Sequence, residues 1–337
     1  MIVSEKSIGR NETAFSYEKQ HCESIYGKIP PRPIHLSYKI ECHNPCFAAG
    51  KADKIKYELM LDFGEKEAIL PVTAIIPKGD GRHPVIINFS TETEAPNKFL
   101  PAEDLTDRGY TVFSLFMKDV SDGNGDFKSG ISKYIAKSRR KKSSAGKLAV
   151  WAWAILRVVE FVCDLIYVDT DAVAIAGHGI CARAVMLAGG LDERIKFVIA
   201  NGIATLPFPY SDKRAKSGIT VHDYPYLYCP AFADDPSGDE YESLLRSCAS
   251  KYILIGSAAD GIGLDTDEEY EYISSLSSSD HQSCESREIT EKNNILTDRV
   301  QTCGENISYH IRPGVDYFSR EDWNIYLDFI DRKIKQK

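Results

Sequence analysis

Residues 172–190, AVAIAGHGICARAVMLAGG, constrain the fold more than any other stretch of the chain. Ala172 to Ala176 is an apolar run of strand length, and Ala182 to Ala188, Arg183 apart, is apolar and rich in small residues, as a buried helix requires. Only Gly177-His178-Gly179-Ile180-Cys181 lies between them. A strand that passes so quickly into a helix turns sharply, and glycine supplies backbone angles that a side chain opposes. Such a unit predicts a parallel sheet with helices packed on it.

The flanking segments extend this pattern. Ile34 to Pro77 alternates polar and apolar residues, as in Lys56-Tyr57-Glu58-Leu59-Met60-Leu61, and predicts antiparallel strands with one wet face. Pro84 to Phe89 is a continuous apolar run, suited to a strand covered on both faces. Helices are expected over 101–108, 145–165, 266–276 and 320–334, and strands over 110–115, 197–200, 252–256 and 307–311. Alternating strands and helices mean a mostly parallel sheet wrapped on both faces. Residues 1–30 read as a polar surface extension, with Ile29-Pro30-Pro31-Arg32-Pro33 an extended connection. Residues 206–250 and 274–306 read as loop excursions within one domain spanning 1–337.

Charge and cysteine usage exclude several classes. A net charge of −8 argues against nucleic-acid and anionic-membrane partners. The basic run Arg139-Arg140-Lys141-Lys142 reads as a solvated loop. The stretch from Val150 to Val168 is broken by Arg157, Glu160 and Asp164, so it is a buried helix rather than a membrane span. Nine cysteines without regular spacing, behind an N-terminus with no apolar signal core, fit a reduced cytoplasmic protein. Cys42 and Cys46 have no second pair to complete a zinc site, and Cys46 is expected to pack as a small apolar residue. Asp119, Asp122 and Asp126 hint at a cation loop but lack the spacing of a calcium loop, and read as solvated. No metal or cofactor is expected.

Several anchors together resemble a known family. Ala149-Val150-Trp151-Ala152-Trp153, then Gly177-His178-Gly179-Ile180-Cys181-Ala182-Arg183, then Ala188-Gly189-Gly190-Leu191-Asp192-Glu193-Arg194 occur in that order. The frame resembles bacterial α/β-hydrolases of the glucuronoyl-esterase and acetyl-xylan-esterase type. Those relatives carry Ala-Trp-Ala-Trp, Gly-His-Ser-Arg-Gly-Gly-Lys and Ala-Gly-x-x-Asp-Glu-Arg. Tyr26-Gly27-Lys28-Ile29-Pro30 is similar to their N-terminal Tyr-Gly-x-x-Pro, and Tyr309 to Asp316 with Asp322-Trp323 to their Tyr-His-x-Arg-x-Gly-x-His…Asp-Trp ending. The resemblance covers about residues 20 to 332. It implies an α/β-hydrolase fold: a mostly parallel central sheet, helices on both faces and antiparallel strands at the N-terminus.

The same resemblance places the catalytic roles on unsuitable residues. In the nucleophile elbow, Gly-x-Ser-x-Gly, the serine sits at the apex of a strained turn. Here the apex is Gly179, which has no nucleophilic atom. The arginine after it, an oxyanion stabiliser in the relatives, is Ile180, and the base histidine is Asp316. Asp260 and Asp265 stand as candidates for the triad acid. Acyl transfer needs nucleophile, base and oxyanion donors together, so these losses argue against serine-hydrolase chemistry. Glycine at the apex also relaxes a turn that strains other residues.

The remaining candidates each have a bland reading beside the functional one. His178 is a possible base or cleft residue, and more simply a packed, hydrogen-bonded histidine. Cys181 is a possible thiol at a helix start, where the dipole lowers its pKa, and more simply a small packing residue. His310 is a possible cleft residue, and more simply one in the core or behind the site. Tyr224 and Tyr226, with Phe208, Tyr210, Tyr228 and Phe232, either rim the cleft or pack a loop. The sequence thus points to a pseudoenzyme that binds a small carbohydrate or ester ligand, or a partner. The alternatives are a hydrolase with a rebuilt, non-serine site using His178, Asp260 or Asp316, and a structural subunit.

Overall fold

The computed structural model describes residues 17–136, 140–203, 221–236, 240–261, 266, 269–270, 273, 285–287, 299–303 and 306–336. The alternating N-terminal sequence forms β1 (His35–Phe47), β2 (Ala52–Asp62) and β3 (Glu67–Pro77), paired antiparallel. The apolar run becomes β4 (His83–Ser90), whose residues Val85 to Phe89 are all buried. Then follow α2 (Ala102–Asp107), β5 (Thr111–Phe116), two short helices, α3 (Met117–Val120) and α4 (Ser132–Ile135), and α5 (Lys147–Cys163). The turn unit is β6 (Val168–His178) and α6 (Ile180–Leu191), followed by β7 (Phe197–Asn201). The chain continues with α7 (Pro230–Asp234), α8 (Glu240–Ser247), β8 (Tyr252–Ala258), β9 (Glu285–Arg287), β10 (Arg299–Cys303), β11 (Ile307–Arg312) and α9 (Arg320–Lys335).

These strands form one sheet in the order β1-β2-β3-β5-β4-β6-β7-β8-β11-β10-β9. The six from β5 to β11 run parallel, and both flanks are antiparallel. One face packs under α1 (Tyr17–Tyr26), α5, α6 and α8, the other under α2 and α9. This is the α/β-hydrolase arrangement, and it sends the ends of β6, β7, β8 and β11 to the same edge of the sheet.

Helix α5 carries the largest apolar load. Every residue from Lys147 to Val162 is buried, as an all-round apolar sequence requires. Its two indoles still find acceptors: Trp151 Nε1 donates to Ser121 O at 2.9 Å and Trp153 Nε1 to Pro31 O at 3.0 Å. Arg157 is tolerated because it pairs through two nitrogens with Glu160, at 2.7 and 2.8 Å. Truncating Trp151 to alanine is expected to cost about 3–5 kcal/mol.

Several expectations need correction. The N-terminal extension is not merely surface: Cys22, Ile25 and Tyr26 of α1 are buried in the core. Cys46 is exposed, because β1 is an edge strand with one short buried stretch. The excursion 274–306 contributes β9 and β10, which extend the sheet beyond β11. The aspartate loop does enclose a cation, and it is the protein's own. Lys147 Nζ donates to Ser121 Oγ at 2.5 Å, to Asp122 O at 2.9 Å and to Asp126 O. No described helix is long and apolar enough to cross a membrane.

Candidate functional site

The turn after β6 is built on two glycines for different reasons. A Cβ on Gly177 would lie 2.7 Å from the Cys181 carbonyl carbon, so this position has no room for a side chain. Gly179 adopts φ 57° and ψ −122°, an unfavourable region for any L-residue, yet a Cβ there would meet nothing within 4 Å. Its N–H donates to Asn201 O at the end of β7, 2.9 Å away. The apex therefore keeps the geometry and open space of a side-chain-presenting turn, with no side chain to present. Ile180 follows as the first residue of α6 and offers no charge.

His178 is the functional group nearest the apex. Its Nδ1 lies 2.8 Å from Asn201 Oδ1, and Asn201 Nδ2 donates to Tyr326 Oη at 2.9 Å. The ring stacks between Phe99, 6.5 Å away at 18°, and Phe318, 6.0 Å away at 26°. Its second nitrogen, Nε2, faces Asp316 Oδ1 at 4.0 Å. The ring is thus fixed in position and in plane, and Nε2 and Asp316 form a partly exposed polar pair.

Asp316 is placed by the turn that follows β11. Arg312 Nη2 donates to Val315 O at 2.8 Å and to Tyr317 O, while Nε donates to Asp322 Oδ2 at 3.1 Å. Asp322 in turn takes His310 Nε2 at 2.7 Å and caps α9 with Ser319. Burial alone would raise the Asp322 pKa, but the bonds from His310 and Ser319 hold it below the usual carboxylate range. His310 is fully buried behind the turn and does not reach the cleft.

One carboxylate near the site was not legible in the sequence. Glu269 is buried and accepts from Tyr241 Oη at 2.8 Å, Ser257 Oγ at 2.6 Å and Tyr309 Oη at 3.1 Å. Burial pushes its carboxyl above the ordinary range, and the charge of Asp316 pushes the same way. It falls within the helix expected over 266–276, four residues after the acid candidate Asp265. Phe99 and Tyr317 were also missed. Their rings lie 4.8 Å apart beside His178, and Tyr317 is exposed.

The other candidates are dispersed. Cys181 is buried beneath the turn, and burial drives its thiol pKa up, overriding any help from the helix dipole. Asp260 is exposed, its N–H donating to Gly314 O at 2.9 Å. Tyr224 and Tyr226 meet edge to face, and Tyr226 Oη donates to Gly123 O, so both pack against the loop before α5. Asp265, Phe208 and Tyr210 lie outside the described residues. Among the described residues no cluster of histidine, cysteine and carboxylate has the arrangement of a metal site.

Comparisons with known proteins agree with this architecture. The family model described as glucuronyl esterase, fungi, matches residues 61–216. A carbohydrate esterase from an unknown prokaryotic organism is 23% identical over 244 residues, covering 66% of this chain and 54% of its own. The chain thus spans about half the length of that curated relative. A glucuronoyl esterase from Solibacter usitatus superposes with a TM-score of 0.76 at 19% identity, covering 93% of this chain and 90% of its own. A carbohydrate esterase family 15 glucuronoyl esterase from Caldicellulosiruptor kristjansonii gives 0.69 at 16% identity, covering 95% and 84%. At these identities the structural likeness establishes the fold. The chain has the α/β-hydrolase fold and resembles carbohydrate esterases of the glucuronoyl-esterase type.

Proposed function

We propose that this protein is a ligand-binding pseudoenzyme: it retains the esterase frame and binds a small uronate or acylated carbohydrate at the elbow without acyl transfer. The observation that carries this reading is Gly179, which holds the elbow angles and the open apex but supplies no nucleophile. The residues around it suit recognition. Phe99 and Tyr317 offer aromatic faces for a sugar ring, and the Nε2 edge of His178 and Asp316 offer polar partners for its hydroxyls. The reading includes a reducing cytoplasmic setting, supported by nine cysteines without the regular spacing of a disulfide framework.

The test begins with a fluorophosphonate probe and a panel of short acyl and glucuronoyl esters. The expected result is no labelling and no turnover above a boiled control. Calorimetric titration with methyl glucuronate and acetylated xylo-oligosaccharides should then show saturable binding that weakens in His178→Ala. Silence in both assays would favour a structural subunit instead. The second reading, a rebuilt hydrolase, draws on the His178–Asp316 pair at 4.0 Å, a base and carboxylate able to orient water. Turnover abolished by His178→Ala would establish it and sink the first.

A further inference from the structure

Between Phe127 and Val159 the chain carries nine lysines and arginines and no carboxylate, in a protein of net charge −8. Part of this stretch folds against the segment that leaves α1. The N–H of Lys28 donates to Ser143 O at 3.1 Å, and that of Gly146 to Tyr26 O at 2.8 Å. Between them lies a cavity of about 440 Å³, within the range of small-molecule sites. Lys28, Arg140, Lys141, Ser143 and Ser144 are among its lining, with Pro30 and Ile135 among its apolar residues.

Arg140 departs from the solvated loop that the sequence predicts. It is half-buried, with its guanidinium 3.9 Å from the centre of the Phe127 ring, and burial lowers its pKa. Other buried guanidinium groups here have carboxylate partners: Arg157 with Glu160 at 2.7 Å, Arg183 with Glu240 at 3.4 Å and Arg312 with Asp322 at 3.1 Å. Among the described residues, Lys28, Arg140 and Lys141 have no carboxylate partner. Three cationic residues thus line one cavity with two serines and apolar walls.

We propose that this cavity binds a small organic anion, with Lys28, Arg140 and Lys141 around its oxyanion headgroup and the apolar walls around its body. The concave shape and the acidic remainder of the chain favour a small molecule over a polyanion. No lining residue belongs to the elbow or to the turn that carries Asp316, so the site is independent of the function proposed above.

Calorimetric titration of the full chain with phenyl phosphate, benzoate and neutral phenol tests this. Saturable binding of at least one anion is expected, with phenol weaker by about tenfold or more. Whichever anion binds tighter identifies the headgroup. The double variant Lys28→Ala/Lys141→Ala changes two exposed side chains and should weaken the anion about tenfold without changing Tm. Arg140→Gln should weaken it further, while His178→Ala leaves it unaltered. Phenol binding as tightly as the anions, an unaffected double variant, or no saturable binding of either anion would overturn the proposal.

Discussion

His178 from the middle of the chain and Asp316 from near its C-terminal end meet at 4.0 Å beside an apex without a side chain. The imidazole is held by Asn201 and the carboxylate by a turn braced through Arg312. Asp316 stands where the resemblance places the base. The imidazole that the cleft does have is the residue just before the apex.

Restoring chemistry should therefore be difficult. Gly179→Ser with Asp316→His is expected to give only trace ester hydrolysis, because Ile180 supplies no oxyanion donor from its side chain. The loss of one such donor costs on the order of 10²–10³ in rate. Robust kcat on glucuronoyl esters from the double variant would show that the missing arginine matters little.

The two turn glycines should separate in urea unfolding. Gly179→Ala costs about 1–3 kcal/mol, all of it from the backbone, since its Cβ meets nothing. Gly177→Ala costs more, because its Cβ presses on the Cys181 backbone. Equal losses would refute this division.

Two buried carboxyls should give opposite pH signatures. Asp322 is held below its ordinary value, so its contribution is complete above about pH 4 and lost as pH falls through its folded value. Asp322→Asn should flatten that acid limb and destabilise by about 3–5 kcal/mol, as His310 and Arg312 lose their partner. Glu269 is raised, so its contribution is greatest below about pH 4.3 and declines as pH rises through its folded value. Glu269→Gln should remove that decline. Chemical denaturation at a series of pH values checks both.

Lys147 holds the loop before α5 from inside. Lys147→Met should cost about 3 kcal/mol by orphaning the carbonyls of Asp122 and Asp126. Limited proteolysis should then cut near residues 122–130 first. An unchanged cleavage pattern would mean that the ammonium is not what orders the loop.

The fold was legible wherever burial leaves a continuous signature. Val85 to Phe89, Leu148 to Val162 and Ala172 to Ala188 are apolar because both faces of each element are covered. The site was legible only at its backbone. Glycines 177 and 179 announce the turn, whereas Phe99, Glu269 and Tyr317 come from loops or acidic stretches with no periodicity to mark them. The buried stripe of α1 was not legible because its sequence is polar and its partners distant, and β9 and β10 were not because short polar strands carry no apolar run, near as β10 lies to its partner β11. Lys147 escaped for the opposite reason: one charge before an apolar helix reads as solvated until the loop around it is seen.

Arg312 grips the turn after β11 through main-chain carbonyls and anchors it to α9 through Asp322. These contacts hold the backbone of the turn from behind, through carbonyls rather than through the side chain at 316, as a socket is held by its wall. The apex at 179 has the same property on the opposite side of the cleft, since its path is set by the strand, the helix and the Asn201 carbonyl. Both walls of the cleft are therefore braced by main-chain contacts, so that a new side chain at the apex costs backbone strain rather than a rebuilt wall.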